Sequence, residues 1–145
     1  MSAITSRIDV ARPPEEVFAY VTDPAHFGDW QDDVVGVRGE SASETGSRFT
    51  TTRRVGRRQY SMTQEIMENV PPVKWSARGV DGPVRPSVQL TLEPLDDGHG
   101  SRLTAVMDFE GHGIGRILVP LVVRRRAAQQ APRSYRHLQE LLERG

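Results

Sequence analysis

The sequence predicts an α+β domain: an antiparallel sheet with its helices gathered on one face. Three observations predict it. Apolar–polar alternation of period two recurs along most of the chain, in segments parted by glycine- and proline-containing turns. Two short helical segments follow the first of these strands. Finally, the stretch from Ile114 to Glu143 repeats apolar residues at helical spacing: Ile114, Ile117, Leu118, Leu121, Val122, Ala128, Ala131, Tyr135, Leu138 and Leu142. At about 1.5 Å per residue that helix would run roughly 40–45 Å, and it needs a surface to lie on.

Taken in order, Ile4, Ser6, Ile8 and Val10 alternate with Thr5, Arg7 and Asp9, a half-buried strand. Pro13-Pro14-Glu15-Glu16 opens a helix, since proline suits the first turn and the glutamates complement its positive end. Val17, Phe18 and Val21 give it a buried face, and Asp23-Pro24 stops it. A second short helix carries Phe27 and Trp30. Val35 and Val37 begin a new strand, followed by a small-polar turn from Glu40 to Ser47. Phe49, Thr51, Arg53 and Val55 share one face of the next strand, and Gly56-Arg57 suits a two-residue hairpin turn with glycine first. That turn sets Val55 opposite Arg58, Arg53 opposite Tyr60, Thr51 opposite Met62 and Phe49 opposite Gln64. Pro71-Pro72 ends the strand. Val73, Trp75 and Ala77 start another, Gly79 to Pro86 reads as a long loop, and Val88, Leu90 and Leu92 alternate up to Pro94. Asp96 to Gly100 turns the chain into a last strand with Leu103, Ala105, Met107 and Phe109. In the long helix Pro120 fits a first-turn position and Pro132 should kink it.

At 145 residues the chain fits one domain, residues 1–145. Its formal net charge is zero, so no global field draws it to nucleic acid or an anionic membrane. Lys74 is the single lysine beside eighteen arginines, which reads first as codon bias. With no cysteine there is no disulfide, thiol chemistry or sulfur-ligand zinc site. The longest apolar run, Ile117 to Val123, falls far short of the ~20 residues a spanning helix needs. No apolar signal core precedes Arg12, and a reduced cytoplasmic location is expected.

Several segments, in this order and spacing, carry a resemblance: Arg12-Pro13-Pro14-Glu15-Glu16-Val17-Phe18 with Trp30, then Gly46-Ser47-Arg48-Phe49, Gly56-Arg57, Gly98-His99-Gly100-Ser101-Arg102-Leu103-Thr104, and the arginine-rich helix closing at Leu141-Leu142-Glu143. Over its whole length the chain resembles the START-like (SRPBCC) superfamily, and within it the polyketide cyclase/dehydrase and lipid-transport branch. The resemblance implies the helix-grip fold of plant pollen allergens and lipid-transfer domains. There, a curved antiparallel sheet of about seven strands wraps a long C-terminal helix and the two grip a ligand between them. These motifs mark strand starts and turns, so they speak for fold before activity.

The polar and apolar residues of the concave face are the candidate site. Phe49, Met62, Trp75, Leu90, Leu92, Met107, Phe109, Leu118, Leu121 and Val122 would be plain core in most proteins, and the resemblance turns them into candidate ligand-binding residues. By strand parity Arg53, Tyr60 and Gln64 share that face, where each needs a partner if buried. A ligand carboxylate or phenol, water or a neighbouring side chain would serve. His26, His99, His112 and His137 are scattered without metal-ligand spacing, so no metal or other cofactor is expected. Gly111-His112-Gly113 lacks a phosphate-loop pattern and reads as a flexible joint. The arginine clusters Arg53-Arg54, Arg57-Arg58 and Arg124-Arg125-Arg126 lack stacking aromatics, and read as a solvated face rather than a nucleic-acid surface.

The expected function is binding of a hydrophobic or amphipathic small molecule in a cavity between sheet and helix, lined by Trp75, Leu90, Met107 and Leu118. The alternative is a polyketide cyclase/aromatase-type enzyme, for which Tyr60 and Arg53 are the only nameable proton-transfer candidates besides Gln64, and no catalytic residue is assigned. A third reading is a protein-interaction module of the same fold. The sequence predicts no nucleic-acid partner and no integral membrane contact, and does not give an oligomeric state.

Overall fold

A computed structural model describes residues 3–39 and 44–144. Seven strands form one antiparallel sheet in the order β1-β7-β6-β5-β4-β3-β2. They are β1 (Ile4–Val10), β2 (Val34–Gly39), β3 (Arg48–Val55), β4 (Arg58–Val70), β5 (Lys74–Gly79), β6 (Val84–Leu95) and β7 (Gly100–Gly111). Helices α1 (Pro14–Val21) and α2 (Phe27–Trp30), with a 3₁₀ turn over Pro24–His26 between them, fill the link from β1 to β2. After β7 come α3 (Gly115–Leu118), a π-helical turn (Val119–Val123) and α4 (Arg124–Arg144). This is the expected helix-grip arrangement. Of the expected Glu40–Ser47 turn, residues 40–43 lie outside the described residues; Gly46 donates its N–H to Ile66 O at 2.8 Å.

Local chemistry explains the element ends. Pro13 caps α1 with Pro14 as its first residue, and Glu15 and Glu16 occupy its first turn. Asp23 caps the 3₁₀ turn, its carboxylate accepting from the Ala25 N–H at 3.0 Å. The β3–β4 register is the expected one at all four pairs, Val55–Arg58, Arg53–Tyr60, Thr51–Met62 and Phe49–Gln64. Gly56, at φ 64°, takes the left-handed position that the turn requires. One expectation shifts. Val84 to Pro86 belong to β6 rather than to a loop; Pro86 lies beyond the last β5 rung, Arg78–Ser87, so its missing N–H costs that pairing nothing. Further along β4, a bulge between Ile66 and Glu68 inserts one residue, so that Ile66 faces Ala77 while Asn69 faces Trp75.

One contiguous core joins the sheet to the helices. Phe49, Ile66, Trp75, Ala77, Leu90, Leu92, Leu103 and Ala105 come from the sheet, Val17, Phe18, Val21, Phe27 and Trp30 from α1 and α2, and Ala131, Tyr135 and Leu138 from α4. Trp30 lies 5.1 Å from the Tyr135 ring, centroid to centroid, and Phe49 stacks on Trp75 at 6.2 Å. The end of α4 is fastened to the end of β1: Gln139 donates to Asp9 O, Arg12 to Leu142 O, and the Ala11 N–H to Glu143.

The first half of the long helix corrects the expected apolar face. Ala131, Tyr135 and Leu138 are buried as expected, but Ile114, Ile117, Leu121 and Val122 are 65, 61, 66 and 44% exposed, Ala128 is exposed and Leu118 half-buried. The buried residues there are Gly115 and Val119. The cause is the π turn, which takes up one extra residue. Discounting it, Val119 to Ala131 spans roughly three whole α-turns, so Val119 and not Leu121 shares the buried face. Pro120 sits inside that π turn rather than opening the main helix, and Pro132 lies inside a continuous α4. Helix entry is a close contact, not a slack joint: a Cβ on Gly111 would collide with Gly115 O, and one on Gly115 would collide with Pro83 O. The His112 N–H also donates to Pro83 O at 2.9 Å.

Candidate functional site

Alternation along β3 to β7 sends every second side chain to the concave face, and burial along that face is graded. Phe49, Thr51, Gln64, Ile66, Trp75, Ala77, Leu90, Leu92, Leu103 and Ala105 are buried. Towards the β3–β4 tip and the β7 end, Met62, Val88, Met107 and Phe109 are half-buried and Tyr60 is 49% exposed. The face is therefore packed in its middle and opens towards that end.

The thirteen predicted ligand-binding residues separate accordingly. Phe49, Gln64, Trp75, Leu90 and Leu92 are packed within the domain. Arg53, Met62, Met107, Phe109 and Leu118 are half-buried, and Tyr60, Leu121 and Val122 look outward. Arg53 and Tyr60 are cross-strand partners as expected. Of the partners left open for Arg53, neighbouring side chains are the ones it has. Its guanidinium donates to Asp33 Oδ1 at 2.9 Å and Gln31 Oε1 at 2.7 Å, which fills the fork and neutralises its charge. Arg53→Met would leave Asp33 without its counterion and should destabilise the fold by roughly 1–3 kcal/mol in a denaturant titration. A cost below ~0.5 kcal/mol would mean that this pair has no structural role.

Under α4 the interior keeps polar atoms without partners: Trp30 Nε1, Thr51 Oγ1 and Trp75 Nε1 are buried and make no hydrogen bond. Burial pushes the Tyr135 hydroxyl up from the ordinary tyrosine range, with the Arg53 charge opposing it. A neutral donor is thus held inside the domain at any physiological pH.

A second place has the dimensions of a site. A cleft of about 700 Å³ opens between α1, the 3₁₀ turn, β2 and the β4–β5 turn. Phe18 and Phe49 give it an apolar floor, with Val37, Ala19 and Pro72 beside them; Glu15, Asp23 and Arg38 also line it, with Asn69 from β4. Of the predicted residues only Phe49 lines this cleft, and Trp75, Leu90, Met107 and Leu118 do not. Periodicity assigns a residue to a face, but the depth of the cleft is set by where α1 and Pro71-Pro72 cross that face. The sequence signal that could have found it is the run Phe18-Ala19, whose alanine leaves room above an aromatic floor.

Beside the cleft, Tyr20, His26 and Asp29 form a small polar cluster. The Tyr20 hydroxyl donates to Asp29 Oδ2 at 2.9 Å, His26 Nδ1 lies 3.1 Å from the same oxygen, and the two rings stack at 4.3 Å. Burial first, then the Asp29 contact, push the Tyr20 hydroxyl up to about 12, while the Tyr20 and His26 hydrogen bonds hold Asp29 below its ordinary value. Neither Tyr20 nor His26 lines the cleft, so this cluster braces α1 against α2.

Comparison with known proteins adds three findings. Residues 1–143 match the family described as polyketide cyclase / dehydrase and lipid transport. Among solved structures, the chain is similar to a protein of Thermus thermophilus, at 14% identity over 97% of this chain and 96% of that one, with a TM-score of 0.77. It is also similar to a protein of Rhodobacter sphaeroides, at 21% identity over 97% of this chain and 91% of that one, with a TM-score of 0.69. The di-domain ARO/CYC BexL from the BE-7585A biosynthetic pathway matches at 16% identity, over 97% of this chain but 46% of that one, with a TM-score of 0.73. At these identities the likeness is one of fold. No curated protein matches the chain. Among the described residues no helix is long and apolar enough to cross a membrane.

Proposed function

The chain belongs to the polyketide cyclase / dehydrase and lipid transport family, and on that premise we propose that it is a cytoplasmic binding protein for a hydrophobic or amphipathic small molecule. The ligand sits in the cleft under α1, its apolar part on Phe18 and Phe49. The observation that carries this reading is the cleft itself: about 700 Å³ is within the range of small-molecule sites, and its floor is aromatic. An enzyme would need a proton-transfer group aimed into that space. Tyr60 is half-exposed near the β3–β4 tip and Arg53 is engaged with Asp33, and neither lines the cleft; the carboxylates that do line it are Glu15, which is exposed, and Asp23, which accepts from the Ala25 N–H. The cyclase alternative keeps its support from the family's description and from the BexL likeness.

Both tryptophans, Trp30 and Trp75, are buried, and Trp75 stacks on the Phe49 ring that floors the cleft. An occupant should therefore alter tryptophan emission. We expect one equivalent of a long-chain fatty acid or a naphthalene-sulfonate dye to do so. Ala19→Phe, which fills the cleft from its exposed α1 wall, should weaken binding at least about tenfold, a loss of ~1.4 kcal/mol. Equal binding by wild type and Ala19→Phe would remove the cleft as the site. Recovery of a bound polyketide-like ligand in altered form would favour the enzyme.

A further inference from the structure

Separately from the cleft, the exposed start of the long helix is a surface in want of a partner. Ile114, Ile117 and Leu121 recur at intervals of three and four residues and are each more than 60% exposed, with Val122 beside them. Together they present on the order of 400 Å² of apolar surface, within the range of the largest apolar patch on a monomer, which is often functional. Basic side chains surround them. From Gly111 to Gln139 the sequence holds six arginines and no carboxylate. Arg116 lies within the apolar stretch, and Arg125 and Arg126 extend it by one turn; all three are exposed and none is in an ion pair among the described residues. The antiparallel order points the β3–β4 tip, with exposed Arg57 and Arg58, to the same end of the sheet. The carboxylates of that region are mostly engaged, Asp108 by Arg124 and Glu110 by His112.

We propose that this helix start docks on the surface of an anionic phospholipid bilayer. Ile114, Ile117 and Leu121 enter the interface, and Arg116, Arg125 and Arg126 meet lipid phosphates. Charge decides against a second copy of the chain, since two carboxylate-free, arginine-rich segments would face each other. Area agrees, because a stable dimer buries roughly 800 Å² per partner. The segment is already helical and is held to β7 through Gly111 and Gly115, so docking carries no cost of folding it.

The test is sedimentation of the full chain with vesicles of phosphatidylcholine alone and of phosphatidylcholine mixed with phosphatidylglycerol. Wild type should pellet with the mixed vesicles and not with the neutral ones, and added salt should release it. Ile117→Ser with Leu121→Ser, and separately Arg125→Glu with Arg126→Glu, should each weaken binding at least about tenfold. All four positions are exposed, so both variants should melt as wild type does, and neither touches the cleft, so fatty-acid binding should persist in both. The proposal is overturned if wild type stays in the supernatant with mixed vesicles, or if either pair of substitutions binds as wild type does. A dimer on gel filtration that Ile117→Ser with Leu121→Ser dissociates would also overturn it, and assign the surface to a second copy.

Discussion

Leu138→Ala should lower the free energy of unfolding by about 2–5 kcal/mol, whereas Leu121→Asp should change it by less than ~0.5 kcal/mol. Both are leucines on one long helix, and its periodicity in the sequence puts both on the buried face. Leu138 has no exposed surface and shares a core with Trp75 and Leu90, so truncation leaves a cavity that its neighbours cannot fill. Leu121 is 66% exposed, and a carboxylate there stays in water. Urea titrations of the two variants decide it: equal costs would mean that the π turn does not rotate the helix as described.

Gly115→Ala should be as disruptive for a different reason. A methyl group there would collide with the backbone oxygen of Pro83, and backbone cannot rotate away as a side chain can. Relief requires the helix start to lift from the β5–β6 loop and β7, at an expected cost of roughly 2–4 kcal/mol. Limited proteolysis should then cut near residues 112–118 before the rest of the domain opens. Gly36→Ala is the control, since nothing lies within 4 Å of an added Cβ there, and it should stay within ~0.5 kcal/mol of wild type. If the two glycine variants melted together, the close approach at Pro83 would be wrong.

What the sequence disclosed follows from the range of each signal. The β3–β4 register was legible to the residue because a two-residue turn with glycine first leaves a single pairing, and alternation then fixes which side chains share a face. The bulge at Ile66–Glu68 was not, since one inserted residue leaves a run of apolar and polar letters unremarkable. The π turn at Val119–Val123 escaped for the same reason: Pro120 is equally at home in a first turn, and its neighbours are apolar whichever way they face. At the site, Arg53 was correctly put opposite Tyr60, but its partners Gln31 and Asp33 lie some twenty residues away in the link to β2, beyond the reach of periodicity. The cleft depends on how α1, the 3₁₀ turn, β2 and the β4–β5 turn come together, a tertiary fact with no local signature beyond small Ala19 and the Pro71-Pro72 pair.

The place of β1 in the sheet bears on how the chain can be made. First of the seven strands in chain order, it pairs with the seventh, Ile4 opposite Met107 and Val10 opposite Ser101, and stands at one edge of the sheet. On the ribosome, β2 to β6 can assemble hairpin by hairpin as they emerge, each new strand meeting the one before it. Residues 4–10 must wait until β7 has left the exit tunnel, and the α4 contacts to Asp9, Ala11 and Arg12 follow later still. Closure of that long loop is the late step of folding. Until then a half-apolar strand with two open edges waits beside the nascent domain, and its alternating Thr5, Arg7 and Asp9 should limit its pairing with other chains.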